Sequence, residues 1–88
     1  GITVLDVRES ESFHNGHIPG ALSIPRGQLE LRVDALLPDP TARILVYCQF
    51  GKVSTLATAT LRDMGFTRAI AMAQGMESWM ESGYPIST

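Results

Sequence analysis

Eighty-eight residues with seven Lys and Arg against nine Asp and Glu make one small domain, with room for a single modest core and none for a second catalytic domain. The net charge of −2, spread without a basic run, is a poor footprint for nucleic acid or an anionic membrane, although a small anion can still bind locally. A single cysteine excludes an internal disulfide and an all-cysteine metal site and makes a reducing, cytoplasmic setting the expectation, while no apolar run approaches the roughly 20 residues of a membrane helix.

The chain opens on Gly1 instead of Met, directly before "ITVLDV", as expected of an excised or trimmed domain. Ile2 to Val7 is β-branched and nearly continuously apolar, the pattern of a strand covered on both faces in a parallel sheet. "RESESFHNGHIPGA" then reads as a short helix and a loop, with Ser10 as cap, Phe13 as an inward anchor, Gly16 as stop and Pro19-Gly20 as a turn. Ala21 to Ile24 is a brief strand ended by Pro25. "RGQLELRVDALL" spaces Leu29, Val33, Leu36 and Leu37 at helical intervals until Pro38 and Pro40 break it. Arg43 to Cys48 is the clearest strand. From Ser54 the residues Leu56, Ala57, Thr60, Leu61 and Met64 predict one face of a helix of about three turns, stopped at Gly65. "TRAIAMA" is a fourth strand, and "GMESWMESGYP" a last short helix with Met76, Trp79 and Met80 turned inward. Strands alternating with helices predict an α/β fold, a parallel β-sheet flanked by helices on both faces, in a single domain over residues 1–88. Ligands of such sheets collect at the carboxyl ends of the strands, and Cys48 stands at one of them.

A lone cysteine ending an apolar strand is most often buried filler. Here, however, a strand, a six-residue stretch with Gly51 and a helix beginning near Ser54 form a geometry in which successive backbone N–H groups converge on one point. The helix start adds its partial positive charge, and together these favour a thiolate over a thiol. A persulfide anion would be held in the same way. Gly51 lets backbone approach the sulfur, or is a plain turn glycine. Lys52 is the only cation of the loop, placed to attract a dianion such as thiosulfate or simply solvated. Ser54 reads as the helix N-cap first and a substrate contact second. Gln49 and Phe50 read as an exposed lip that touches substrate, with Phe50 alternatively a partner-binding surface residue.

Phosphatase-type catalysis asks for an arginine at the sixth position after the cysteine, where this chain has Ser54. Thioredoxin-type exchange lacks its second cysteine. Papain-type hydrolysis needs a histidine base, and His14 and His17 read as structural residues of a turn segment. Sulfur transfer needs only the soft thiolate and its amide cradle, with no metal, cofactor or general base.

Four separated motifs, "LDVRE" at Leu5 to Glu9, "GHIPGA" at Gly16 to Ala21, "VYCQFGKVS" around Cys48 and "GMESWMESGYP" near the end, occur in an order that resembles the rhodanese family of sulfurtransferase domains. The resemblance implies a persulfide intermediate on Cys48 and an active loop of Cys48, Gln49, Phe50, Gly51, Lys52 and Val53. Asp6 and Arg8 match the family's pair near the site, supporting residues or a structural ion pair. Trp79 matches its tryptophan, read as core packing. Two departures stand out. Val53 occupies a position where many single-domain members carry arginine, and the strand and helix that normally open the domain do not precede Gly1. The mercaptopyruvate-type loop, with small Gly and Ser after the cysteine, is also absent, so thiosulfate or a protein persulfide is the expected donor. The implied partners are thus a small anionic sulfur donor and a thiol, protein or cyanide acceptor. The alternative is a module of the same fold that binds a partner or senses redox state without catalysis.

Overall fold

The computed structural model describes residues 1–88 as four parallel strands in the order β2-β1-β3-β4. These are β1 (Ile2–Asp6), β2 (Leu22–Ser23), β3 (Arg43–Tyr47) and β4 (Ala69–Ala71). The intervening helices are α1 (Ser10–Asn15), α2 (Leu29–Leu36, preceded by a 3-10 turn at Arg26–Gln28), α3 (Lys52–Asp63) and α4 (Gly75–Glu81). Every β1 residue pairs with β3, from Ile2 opposite Arg43 to Asp6 opposite Tyr47. The chain leaves β1 toward β2 on one side and returns to β3 on the other, so the strand order reverses between β1 and β3. A cleft opens at the carboxyl ends of strands at such a reversal.

Alternation along the strands divides the interior into two layers. Leu5, Val7, Ile44, Val46 and Cys48 point into one, where Leu29 and Val33 of α2 and Ala57 and Leu61 of α3 meet them. Val4 and Tyr47 point into the other, against Ile18, Met76 and Trp79. The expected two-sided sheet is therefore present, with its larger core under α2 and α3.

Several expected positions shift. Only the carboxyl half of β1 is fully buried, since Ile2 lies at the open end of the sheet with half its surface exposed. The α3 helix begins at Lys52, two residues before the expected start, and its buried face is Ser54, Ala57, Thr58 and Leu61. Leu56 is 63% exposed. Reading apolar character alone rotated the stripe, because the sheet side of this helix accepts a Ser and a Thr whose hydroxyls bond backbone carbonyls within the helix or at its start. Leu36 and Met80 are also exposed, as α2 buries only Leu29 and Val33 and α4 only Gly75 and Met76. Ser10 is the first helical residue of α1 rather than its cap, which is Glu9 without a side-chain capping bond. Phe13 is half-buried and stacks on the His17 ring at 3.8 Å between centroids.

If α3 seats this way, Leu61→Ala should cost about 2–5 kcal/mol of unfolding free energy, and Leu56→Ala less than about 0.5 kcal/mol. Urea denaturation of the two variants measures both.

Candidate active site

Cys48 follows β3 directly and is 4% exposed. The backbone N–H of Gly51 donates to its Sγ at 3.1 Å and that of Ser54 at 3.2 Å. Burial is the largest single influence on the thiol and pushes it up. The Ser54 hydroxyl and the N–H groups of Ser54, Gly51 and Phe50 outweigh it, so the thiol titrates below its ordinary value. The Ser54 hydroxyl also donates to the Gly51 carbonyl oxygen at 3.1 Å, so two acceptors compete for its one proton, and an ionised sulfur is the stronger of them.

The loop reaches this shape because the chain after β4 holds its other side. The second and third N–H groups of α4, those of Met76 and Glu77, donate to the carbonyls of Cys48 and Gln49 at 2.8 and 3.0 Å. With the carbonyls turned toward α4, N–H groups farther along the loop face the sulfur. The two segments approach so closely that each needs a glycine. A Cβ on Gly51, which has φ of +101°, would overlap the Ala73 carbonyl oxygen. One on Gly75, with φ of +78°, would overlap the Cys48 carbonyl oxygen. Gly51 caps α3, and this corrects the expectation for Ser54: it lies in the first turn, fully buried, with its N–H on the sulfur and its hydroxyl on the loop.

Asp6 and Arg8 close the floor beside the loop. Asp6 is fully buried at the end of β1 and takes the Arg8 Nη2 at 2.8 Å, its Nε at 3.1 Å and its backbone N–H at 2.8 Å. Two further N–H groups of Arg8 go to the Gly16 carbonyl at 2.7 Å and to Gln49 Oε1 at 3.2 Å, which leaves one on Nη1 without a partner in the chain. This ion pair therefore fastens the end of β1 to the end of α1 and to the active loop. Tyr47, opposite Asp6 across the ladder, accepts the Ile18 N–H at 3.1 Å, and burial first, then the Asp6 carboxylate, hold its phenol protonated.

A cleft of about 940 Å³ lies above Cys48. Phe50, Lys52 and Val53 line one part, with Phe50 69% and Val53 43% exposed. Gln49 also lines it but is half-buried, its amide bonded to Arg8 and, at 3.3 Å, to Glu77, so Phe50 alone is the free lip. Neither His14 nor His17 lines the cleft; His17 Nδ1 is bonded to the Phe13 carbonyl at 2.9 Å. Trp79 is half-buried on the far side of the sheet and donates to the Pro85 carbonyl at 2.7 Å. Glu9, Arg26 and Gly27 border the cleft as well, and the reading of the sequence did not single them out. Their signal is positional: Glu9 closely follows β1 and Arg26 closely follows β2, at the same sheet end as Cys48.

Because the Ser54 hydroxyl is the foremost of the groups that lower the Cys48 thiol, Ser54→Ala should raise its titration midpoint. The thiolate fraction at neutral pH then falls. Alkylation by iodoacetamide followed against pH should show the midpoint displaced upward and the rate at pH 7 reduced about threefold or more.

Comparison with known proteins agrees with this arrangement. The model of the rhodanese-like domain matches residues 1–82. The thiosulfate sulfurtransferase PspE of Escherichia coli is 35% identical over 63 residues, covering 72% of this chain and 61% of that protein. The thiosulfate:glutathione sulfurtransferase of Homo sapiens is 33% identical over 93 aligned positions, covering 89% of this chain and 78% of that protein. The crystal structure of the Rhodanese_3-like domain of the Anabaena sp. Alr3790 protein superposes with a TM-score of 0.92 at 30% identity, with 100% of both chains covered. The chain spans 41 to 61% of the length of several curated bacterial relatives that it matches. With the sheet order, the amide-bound cysteine and a family match over nearly its whole length in agreement, this chain belongs to the rhodanese-like domain family.

Proposed function

We propose that this domain is a sulfurtransferase that carries sulfane sulfur as a persulfide on Cys48. The observation that carries the reading is the pair of backbone N–H groups on Sγ, at 3.1 and 3.2 Å, at the floor of an open cleft. The Cys48 thiolate attacks the outer sulfur of thiosulfate. The S–S bond of thiosulfate breaks, sulfite leaves with the bonding pair, and Cys–S–S⁻ remains. Charge is conserved, because a monoanion and a dianion give a monoanion and a dianion. An acceptor, cyanide in an assay or a thiolate in the cell, then attacks the terminal sulfur and returns Cys48 as thiolate. No proton has to move in either step, so no general base is required, and the structure puts no histidine at the cleft. Another persulfide can replace thiosulfate as donor.

The supporting roles follow from the geometry. Gly51 and Ser54 hold the anionic sulfur, and each charge-assisted bond is worth roughly 1.5–3 kcal/mol. Asp6 and Arg8 position the loop through Gln49, with four of the five Arg8 side-chain N–H groups bonded within the chain. Phe50, Lys52 and Val53 form the surface the substrates meet. The names of the Escherichia coli and human relatives support a thiosulfate donor, and the human one a small thiol acceptor. A reducing, cytoplasmic setting suits a mechanism that needs a free thiol.

Intact-mass measurement after incubation with thiosulfate should show an adduct of about 32 Da that is absent from Cys48→Ala. A folded protein that never acquires the adduct overturns the enzyme reading and leaves a binding or redox-sensing module. In steady state, Val53→Arg should lower KM for thiosulfate about threefold or more with little change in kcat, because a guanidinium added at the cleft wall binds ground state and transition state alike.

A further inference from the structure

Three cationic side chains border the cleft: Arg8, Lys52 and Arg26. They are not equivalent. Arg8 is bonded to Asp6, Gly16 and Gln49 and its side chain is 9% exposed, so it offers a ligand a single N–H, on Nη1, and no fork. Lys52 is exposed at the first position of α3. It contributes charge, but its ammonium is strongly hydrated and lacks the planar fork that matches an oxyanion.

Arg26 differs from both. Its backbone N–H is fixed to the Val7 carbonyl at 3.1 Å, which pins the residue at the carboxyl end of β1, the strand beside that of Cys48. Its guanidinium donates once to Glu30 at 2.9 Å and once to Thr60 Oγ1 at 3.1 Å. Of the five N–H groups of an arginine, three remain free of partners within the chain. The side chain is 34% exposed and its carboxylate partner 50% exposed, and such an i,i+4 surface pair is weak. A dianion entering the cleft therefore competes well for this group. Thr60 lies seven residues along α3 from Val53, two helical turns and hence on the same side of the helix. Val53 leaves that side without a long side chain over it.

We propose that Arg26 is the anion-binding side chain of the cleft, taking the sulfonate-type end of the sulfur donor that no arginine of the active loop receives. The identity of the donor rests on the sulfurtransferase reading; the anion site rests on the cleft alone. The site is tuned by Glu30, which holds the guanidinium in the absence of donor.

Two alkylating agents of similar size test this without turnover. Iodoacetate is anionic and iodoacetamide neutral, so the ratio of their rates at Cys48 reports an anion site in the cleft and cancels the intrinsic reactivity of the thiol. Arg26→Gln should lower that ratio about threefold to tenfold, and Glu30→Gln, which releases the guanidinium, should raise it about twofold. Thiosulfate turnover should follow: KM about tenfold higher in Arg26→Gln with kcat within about twofold, and KM lower in Glu30→Gln. An unchanged ratio in Arg26→Gln overturns the assignment. So does a fall in both variants, because loss of a purely structural ion pair acts in the same direction from either end. If the unsubstituted protein takes up no sulfur from thiosulfate while the ratios move in opposite directions as stated, the sulfurtransferase reading fails and the anion site stands. If sulfur is taken up and the ratios do not move, the reverse holds.

Discussion

Everything at the cleft depends on how closely the loop after β3 is pressed against the chain after β4. The carbonyls of Cys48 and Gln49 are taken by the N–H groups of Met76 and Glu77 in the first turn of α4, and Gly51 and Gly75 each lie where a Cβ would strike the other segment's backbone. A peptide group has one donor and one acceptor side. Once α4 takes the carbonyls, the amide hydrogens of the same loop are left to face inward, and the sulfur of Cys48 occupies the point where they converge. The downward shift of the thiol thus comes first from Ser54 in the first turn of α3 and then from the loop N–H groups of Gly51 and Phe50, which the packing between the two segments holds in place. No neighbouring cation is among the causes of that shift.

The second constraint is the buried carboxylate of Asp6. An unpaired charge at that depth would cost several kcal/mol, and the only cation reaching it is Arg8, two residues on. Since the guanidinium has donors to spare, it also takes the Gly16 carbonyl and Gln49. One ion pair thereby fixes the angle at which the chain leaves β1, the end of α1, and one side of the active loop. The same pairing occupies most of the Arg8 donors, and the other cations at the cleft are of a different kind: an exposed lysine at the start of α3 and an arginine on the turn after β2.

The legible part of the sequence was local. Alternating strands and helices, the glycine after Cys48 and four ordered motifs identified the fold, the nucleophile candidate and the loop, because each is written in the spacing of neighbouring residues. Less legible was anything set by a partner distant in the chain. Leu56 looks like core and is exposed, while Ser54 and Thr58 look polar and are buried, since the seating of α3 is chosen by the sheet and by hydroxyl bonds inside the helix. Ser54 resembled a cap because a serine near a helix start usually is one; in fact Gly51 opens the helix, and the serine turns inward to the sulfur.

By itself the sequence determined the parallel α/β architecture and the place of its one cysteine at a strand's carboxyl end, for hydrophobic period and turn chemistry act over a few residues. Only the tertiary structure decided what surrounds that cysteine. Gly75 is 27 positions from Cys48 and Arg26 is 22, and nothing in local pattern relates them. Gly75 reaches Cys48 because β4 pairs with β3, and Arg26 shares its cleft because the strand order reverses between β1 and β3, with the carboxyl ends of all four strands at one end of the sheet.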